Sequence, residues 1–130
     1  MKPAKEGVDV GVVARDADAL VAFYTDVVGL EFVESFDSRI GRIHRLRFGS
    51  SWIKIVGGHA DSPVQSHDFT EPGVRYLTFE ISDLDETWAR IVDAGGEVVA
   101  PLATHPQTGA RAGSIRDPEG NLVELLTRSS

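Results

Sequence analysis

An internal repeat constrains this chain more than any other feature of its sequence. The helical segment Asp16–Glu31 can be laid over the helical segment Asp83–Glu97 when one residue is dropped before the final glutamate. In each copy a predicted strand precedes the helix, and three short predicted strands follow it. Two copies of β-α-β-β-β in 130 residues indicate a duplicated fold.

The repeat also sets the predicted boundaries. Module one covers about residues 7–57, a linker covers 58–73, and module two covers about 74–128, all within one predicted domain of residues 1–130. The predicted elements of module one are strands 8–14, 30–36, 43–48 and 52–56 and a helix over 16–28. Those of module two are strands 74–81 and 97–100, a helix over 83–95, a loop over 101–105 and a final hairpin ending at 126. The predicted fold class is α+β.

Charge and composition exclude several classes of protein. The net charge of −7 argues against a nucleic-acid scaffold, which needs clustered lysine and arginine. The sequence contains no cysteine, which removes disulfides, thiolate catalysis and zinc–thiolate sites. No apolar run approaches membrane-spanning length and no signal-peptide pattern is recognisable, so we expect a cytoplasmic protein that binds neither nucleic acid nor membranes.

The final hairpin places a carboxylate in an unusual position. Residues 116–121 predict a tight turn, because Pro118 fixes its own φ and Gly120 supplies a positive one. After the turn, Glu124 sits between Val123 and Leu125, so strand alternation puts its carboxylate on the face opposite these apolar neighbours. A lone glutamate there is usually solvated, but the rest of the chain suggests that this face looks into a cavity.

Three segments closely resemble the vicinal-oxygen-chelate superfamily, which comprises glyoxalases, bleomycin-resistance proteins and extradiol dioxygenases. They are Asp9–Asp16, Ala22–Leu30 and Arg116–Leu125. The resemblance implies two βαβββ modules whose curved mixed sheets form a half-barrel around a cavity, often completed across a homodimer. It is specific for the fold and not for the reaction.

The metal-dependent members of that superfamily hold a divalent ion with inward side chains on four strands. Residue by residue, the resemblance places these four slots at Asp9, Lys54, Tyr76 and Glu124, of which only Glu124 matches the usual ligand type. An ammonium repels a divalent cation, and a protonated phenol is a poor ligand. We therefore predict no tightly bound metal or other cofactor, with Lys54 in the place of the cation and Asp9 and Glu124 as its counter-charges. The alternatives are a divalent metal completed by water or substrate, and four side chains that are simply solvated.

Other predicted ligand contacts depend on the hairpin near residues 49–51. A two-residue turn at 50–51 places Arg45, Arg47 and Trp52 on the face of Lys54, whereas a three-residue turn places mostly apolar side chains there. Apolar burial beneath the helices favours the first register. The wall of the cavity would then be cationic and suit a carboxylate or a phosphate, with Trp52 and Arg47 as ligand-binding residues.

Two further candidates lie before the final hairpin. His105 and Arg111 fall in or near the predicted loop and are predicted to border the mouth of the cavity. His105 is the best candidate for a general acid or base outside the four slots, because an unperturbed imidazole titrates near neutral pH.

Three functions are compatible with these residues. The first is a binding protein of the bleomycin-resistance type that holds a small anionic metabolite without a metal. The second is a lyase- or isomerase-type enzyme in which Glu124 or Asp9 is the base and Lys54 or Tyr76 stabilises an enolate oxygen. The third is a metal-dependent glyoxalase, epimerase or dioxygenase with unusual ligands. Three substituted slots rank the third last, and we favour the first while the second stays open.

Overall fold

The structure, a computed structural model, describes residues 1–63 and 68–128. The chain divides into two compact units, Met1–Val64 and Gln65–Ser130. The division falls inside the predicted linker 58–73, of which residues 64–67 lie outside the described residues, as do residues 129–130. Each unit has the element order β-α-β-β-β, so the predicted duplication and the α+β class are confirmed.

The first unit is a four-stranded sheet with one helical segment. Its strands lie in the order β1-β4-β3-β2, with β1 parallel to β4 and the other pairs antiparallel. The elements are β1 (Val10–Val13), α1 (Ala17–Ala22), β2 (Glu31–Ser38), β3 (Gly41–Phe48) and β4 (Ser51–Val56).

The predicted helix of this unit is α-helical in its first half only. Asp16 caps α1, since its side chain accepts a hydrogen bond of 3.1 Å from the backbone N–H of Ala19. The continuation, Phe23–Val28, is a π-helix, and the N–H of Gly29 reaches back to the carbonyl of Tyr24 at 3.0 Å. Gly29 ends the segment with a φ of 107°, a left-handed conformation that glycine adopts without strain.

The second unit repeats this topology, with strands in the order β5-β8-β7-β6 and β5 parallel to β8. Strand β6 continues to Thr104, so the predicted loop over 101–105 is mostly strand. An edge strand tolerates Pro101, and the register against β7 shifts on both sides of Ala100. The elements are β5 (Tyr76–Glu80), α2 (Leu84–Asp93), β6 (Glu97–Thr104), β7 (Arg111–Arg116) and β8 (Leu122–Thr127).

One face of each sheet packs against the helix of the same unit, and these faces form the two cores. Fully burying one such large aliphatic side chain is worth about 1.5–3 kcal/mol. The core of the first unit includes Leu20, Tyr24, Leu46, Ile53 and Ile55, and that of the second includes Leu84, Ile91, Ile115, Val123 and Leu125.

The register of the β3–β4 hairpin decides what lies on the other face of the first sheet. Arg45 pairs with Lys54 and Arg47 pairs with Trp52, around a two-residue turn at 49–50 rather than 50–51. The two registers differ by an even number of residues, so every side chain keeps its predicted face. The predicted grouping of these four side chains on one face is therefore confirmed.

The helices are short. The helix α2 has 10 residues, and none of the helices within residues 1–63 and 68–128 is long and apolar enough to cross a membrane.

Candidate functional site

The face of β3 and β4 that points away from the core carries a group of side chains that we call the Trp52 cluster, namely Arg45, Arg47, Trp52 and Lys54. The guanidinium carbon of Arg45 lies 3.7 Å from the centre of the Trp52 ring, and that of Arg47 lies 4.7 Å from it. Both distances are within the range of cation–π attraction. The ring of Trp52 is in contact with two guanidinium groups, and its role in ligand binding stays a prediction.

Ion pairs neutralise two of the three cations in this cluster. Arg45 forms a close ion pair with Glu34 of β2, and Nε of Arg47 lies 3.7 Å from the carboxylate of Glu31. Lys54 differs, since the described residues of the first unit include no ion-pair partner for its ammonium. The cluster therefore presents a net positive charge at Lys54.

Asp9, directly before β1, is held by two groups of the first unit. Its Oδ1 accepts a hydrogen bond of 2.8 Å from the backbone N–H of Trp52 and forms an ion pair with Lys5. The hydrogen bond from Lys5 lowers the pKa of Asp9 most, the N–H of Trp52 lowers it further, and the charge of Lys54 contributes less. The main counter-charge of Asp9 is therefore Lys5, not Lys54 as predicted, and a carboxylate with a lowered pKa is a poor base.

In the second unit, Glu124 lies in the middle of β8 between two small polar neighbours. The register places it opposite Thr78 of β5 and Ser114 of β7. The hydroxyl of Thr78 donates to Oε1 of Glu124 at 3.0 Å, and Oε2 has no hydrogen-bond partner among the described residues of this unit. Tyr76 shares this face, is 48% exposed, and packs its ring edge-on against Phe69 with 5.1 Å between the ring centres.

A cavity of about 470 Å³ lies over this face of the second sheet. Its volume is in the range that accommodates small-molecule ligands. Glu124, His105 and Arg128 supply the ionisable groups of its wall. The apolar part of the wall comes mainly from Ala103, Ala110, Ala112 and Leu126.

The two residues predicted to border the mouth of the cavity lie on different faces of the second unit. His105 lines this cavity together with Glu124. Arg111 does not, because it begins β7 and strand alternation turns it to the face opposite Glu124. There Nη2 of Arg111 binds Oδ1 of Asp85, beside the first turn of α2, at 2.9 Å. The predicted place of Arg111 at the cavity mouth is thus corrected.

Sequence reasoning missed several polar residues of this site, among them Thr78, Arg128 and, also in the cavity wall, Thr104 and Thr108. Thr78 shares a face of β5 with Tyr76, and parallel pairing of the first and last strands of the module would have placed it beside Glu124. Arg128 follows β8, continues the alternation of Glu124 and Leu126, and pairs with Glu80. An alternation that extends past the end of a strand is a weak signal, which is why the sequence alone did not identify Arg128.

The residues at the four slots do not fit a divalent metal. The carboxylate of Asp9 is already bound by Lys5 and an N–H group, and position 54 carries an ammonium. Within either unit, the described residues include no group of three or more His, Asp or Glu side chains that could hold an ion. We derive no chemistry through a metal, and metal-free function stays a prediction.

Comparison with known proteins gives the family. The model of the Glyoxalase/Bleomycin resistance protein/Dioxygenase superfamily matches residues 8–125. The chain therefore belongs to this superfamily, and the resemblance seen in its sequence is confirmed.

Two named proteins are similar to this chain over most of its length. Proteins named "Putative glyoxylase CFP32" from Mycobacterium tuberculosis and Mycobacterium bovis are 34% identical over 113 residues, which cover 84% of this chain. The matched part spans only 39% of the length of those relatives.

Two solved structures share the fold over nearly the whole chain. A glyoxylase/bleomycin resistance protein/dioxygenase domain from Frankia superposes with a TM-score of 0.78 at 20% identity, covering 100% of this chain and 95% of its own. A lactoylglutathione lyase from Agrobacterium tumefaciens superposes with a TM-score of 0.68 at 26% identity, covering 97% and 96%.

Proposed function

We propose that this protein binds a small anionic metabolite with an apolar body in the cavity beside Glu124, without a tightly bound metal. The observation that carries the proposal is the 470 Å³ cavity itself, which combines a wall of small apolar side chains with a few ionisable groups. Oε2 of Glu124 has no partner among the described residues of the unit, so it can accept a hydrogen bond from the ligand.

One feature supports an anionic ligand. Arg128, which is ion-paired with Glu80 through Nη1, contributes a guanidinium to the wall of the cavity. A guanidinium has five N–H donors, so Arg128 can donate to a ligand carboxylate or phosphate while it stays paired with Glu80.

Cavity filling tests this proposal. The probe is phenylpropionate, an anion with an apolar body, and binding is followed through the backbone amide resonances of the cavity residues. Ala112→Leu fills the cavity and should abolish binding. Ala89→Leu, which adds the same atoms to an exposed position of α2, is the matched control and should bind as the wild type does. Equal binding by both variants would contradict the proposed site.

A lyase- or isomerase-type enzyme is the second candidate. It is favoured by the free oxygen of Glu124 in the wall of a cavity, because a carboxylate there can remove a proton next to a carbonyl. Asp9, the other predicted base, is less suitable, since Lys5 and the N–H of Trp52 hold it as a carboxylate. Exchange of a ligand's α-protons with deuterated water, lost in Glu124→Gln, would establish this activity, whereas binding without exchange supports the binder.

The proposal also includes the cellular location, the oligomeric state and the metal content of the protein. We expect a cytoplasmic homodimer, as the superfamily resemblance and the absence of cysteine suggest. Sedimentation velocity of the purified chain checks the dimer, and metal analysis of protein purified without chelators checks the metal-free state. A stoichiometric divalent metal would instead favour the metal-dependent enzyme that the sequence ranks last.

A further inference from the structure

The loop between β6 and β7, residues 105–110, is tied together by His105. The backbone N–H of His105 donates to the carbonyl of Ala110 at 2.7 Å, and its own carbonyl accepts from Gly109 at 2.9 Å. The imidazole adds two more bonds, because Nδ1 lies 3.2 Å from the backbone N–H of Gln107 and 3.3 Å from that of Thr108. The ring is therefore held in place by its own loop.

These bonds assign the tautomer of the neutral ring. A backbone N–H can only donate, so Nδ1 must keep its lone pair in order to accept from it. The neutral imidazole then carries its hydrogen on Nε2. Nε2 has no hydrogen-bond partner among the described residues, and the ring lines the cavity that contains Glu124.

We propose that His105 is a fixed hydrogen-bond donor that recognises an acceptor atom of the ligand, and not the general acid or base of the site. This inference rests on the proposed ligand site beside Glu124. The wall of the cavity then holds an acceptor at Glu124 and a donor at Nε2 of His105. Arg128, which is ion-paired with Glu80, adds further N–H donors to the same wall. The matching ligand class is a hydroxy acid, with an apolar body, a hydroxyl for Glu124 and a carboxylate for His105.

Two substitutions of His105 separate the role of Nδ1 as an acceptor from the role of Nε2 as a donor. In His105→Asn the side-chain oxygen replaces Nδ1 as acceptor for the loop N–H groups, as asparagine does in turns, and the donor at Nε2 is lost. In His105→Gln the amide group can replace the donor at Nε2, and the acceptor for the loop is lost. If His105 acts only as a structural tie for the loop, Asn should be tolerated and Gln should not.

The experiment uses para-hydroxyphenylpropionate with two analogues, phenylpropionate without the hydroxyl and para-ethylphenol without the carboxylate. Dissociation constants are measured from the amide resonances of the folded full chain. A hydrogen bond to a charged group is worth about 1.5–3 kcal/mol, so His105→Asn should weaken binding of the two carboxylates about 10- to 100-fold. Binding of para-ethylphenol should change less than about 2-fold, because this probe has no carboxylate and loses no hydrogen bond to His105. His105→Gln should retain more affinity for the carboxylates than His105→Asn does.

The outcomes distinguish this inference from the proposed function. Binding that Ala112→Leu blocks but His105→Asn leaves unchanged would overturn the role of His105 and keep the ligand site. Equal weakening of all three probes by His105→Asn would also overturn it, because a loop defect does not select for carboxylates. Absence of binding of every probe to the wild-type cavity would overturn both.

Discussion

The two units use one topology but place opposite charges at the same position. Lys54 lies on β4 beside Gly11 of the parallel neighbour β1, and Glu124 lies on β8 beside Thr78 of the parallel neighbour β5. The first unit surrounds its cation with arginines on an indole ring, whereas the second gives its carboxylate one hydroxyl and a cavity. A duplicated fold can therefore diverge on one sheet face while its core face stays mainly apolar in both copies.

The largest expected effects test whether the cores are as equivalent as the topology suggests. Ile55→Ala in the first unit and Leu125→Ala in the second each remove a fully buried side chain and should cost about 2–5 kcal/mol of unfolding free energy. Urea unfolding can be followed separately in the two units through Trp52 and Trp88, in single-tryptophan backgrounds. If residues 1–130 are one cooperative domain, both tryptophans should report one midpoint in each variant, and separate midpoints would contradict the single domain.

A second prediction concerns two aligned core positions, one on the helix and one on a strand, at which the two units carry different residues. The repeat aligns Val21 with Trp88 on the helices, and the sheet registers align His44 with Gly113 opposite Ile55 and Leu125. The second unit thus combines a large helix residue with a glycine on the strand. A Cβ added at Gly113 would lie 2.6 Å from the Trp88 ring, so Gly113→Ala should cost about 1–3 kcal/mol of unfolding free energy.

The double variant Gly113→Ala, Trp88→Leu is the control for that clash. If the cost comes from the contact, the effect of Gly113→Ala should shrink once the ring is gone, and the two substitutions should be non-additive by more than about 0.5 kcal/mol. Additive effects in thermal or urea unfolding would mean that the glycine is required for another reason. His44→Ala, at the equivalent position of the first unit, opens space instead and should show no such coupling to Val21→Ala.

The sequence predicted the fold better than it predicted the site, for physical reasons. The duplication, the end of the first helical segment at residue 28 and the faces of β3 and β4 follow from local spacing, which the sequence contains. The partners of charged side chains do not follow from spacing. Asp9 pairs with Lys5 because the irregular segment before β1 folds back on it, and no period describes that segment.

The position of Arg111 illustrates the same limit. A shift of a strand boundary by two residues decides whether a side chain belongs to a loop or to an alternating strand. Once β7 begins at Arg111, alternation fixes its side chain on the helix face, where Asp85 is the partner. Boundaries are the least certain part of a sequence-based prediction, so residues near them are the ones whose faces are assigned wrongly.

A smaller effect tests the feature that distinguishes the first unit, the stacking of Arg45 on Trp52. A partly exposed cation–π contact is worth about 0.5–1 kcal/mol. A double-mutant cycle with Arg45→Met and Trp52→Leu should therefore give a coupling of that size in urea unfolding. The equivalent of Trp52 in the second unit is Leu122, so Trp52→Leu makes the first unit resemble the second. A coupling near zero would mean that the Arg45–Glu34 ion pair alone positions the guanidinium.

The smallest expected effect is the dependence of stability on pH through Asp9, whose equivalent in the second unit is Tyr76. Because the folded state lowers the pKa of Asp9 through Lys5 and the N–H of Trp52, the carboxylate stabilises the fold at pH values above its unfolded pKa, about 3.9. That contribution is lost as the pH falls through the lower folded pKa. Urea unfolding at a series of pH values from about 5 to 2 should thus show a shallower loss of stability for Asp9→Asn than for the wild type.

Lys5→Gln separates the causes of this effect. It removes the hydrogen bond that lowers the pKa of Asp9 most and leaves the N–H of Trp52 in place. The loss of unfolding free energy of Lys5→Gln on acidification should therefore be smaller than that of the wild type and larger than that of Asp9→Asn. Because both groups are on the surface, about 1 M salt should weaken the contribution of Lys5 more than that of the N–H bond. If Asp9→Asn and the wild type lose stability in parallel over the whole acid range, Asp9 is not held in the folded state. The contact of its carboxylate with the N–H of Trp52 would then contribute nothing to the stability of the first unit.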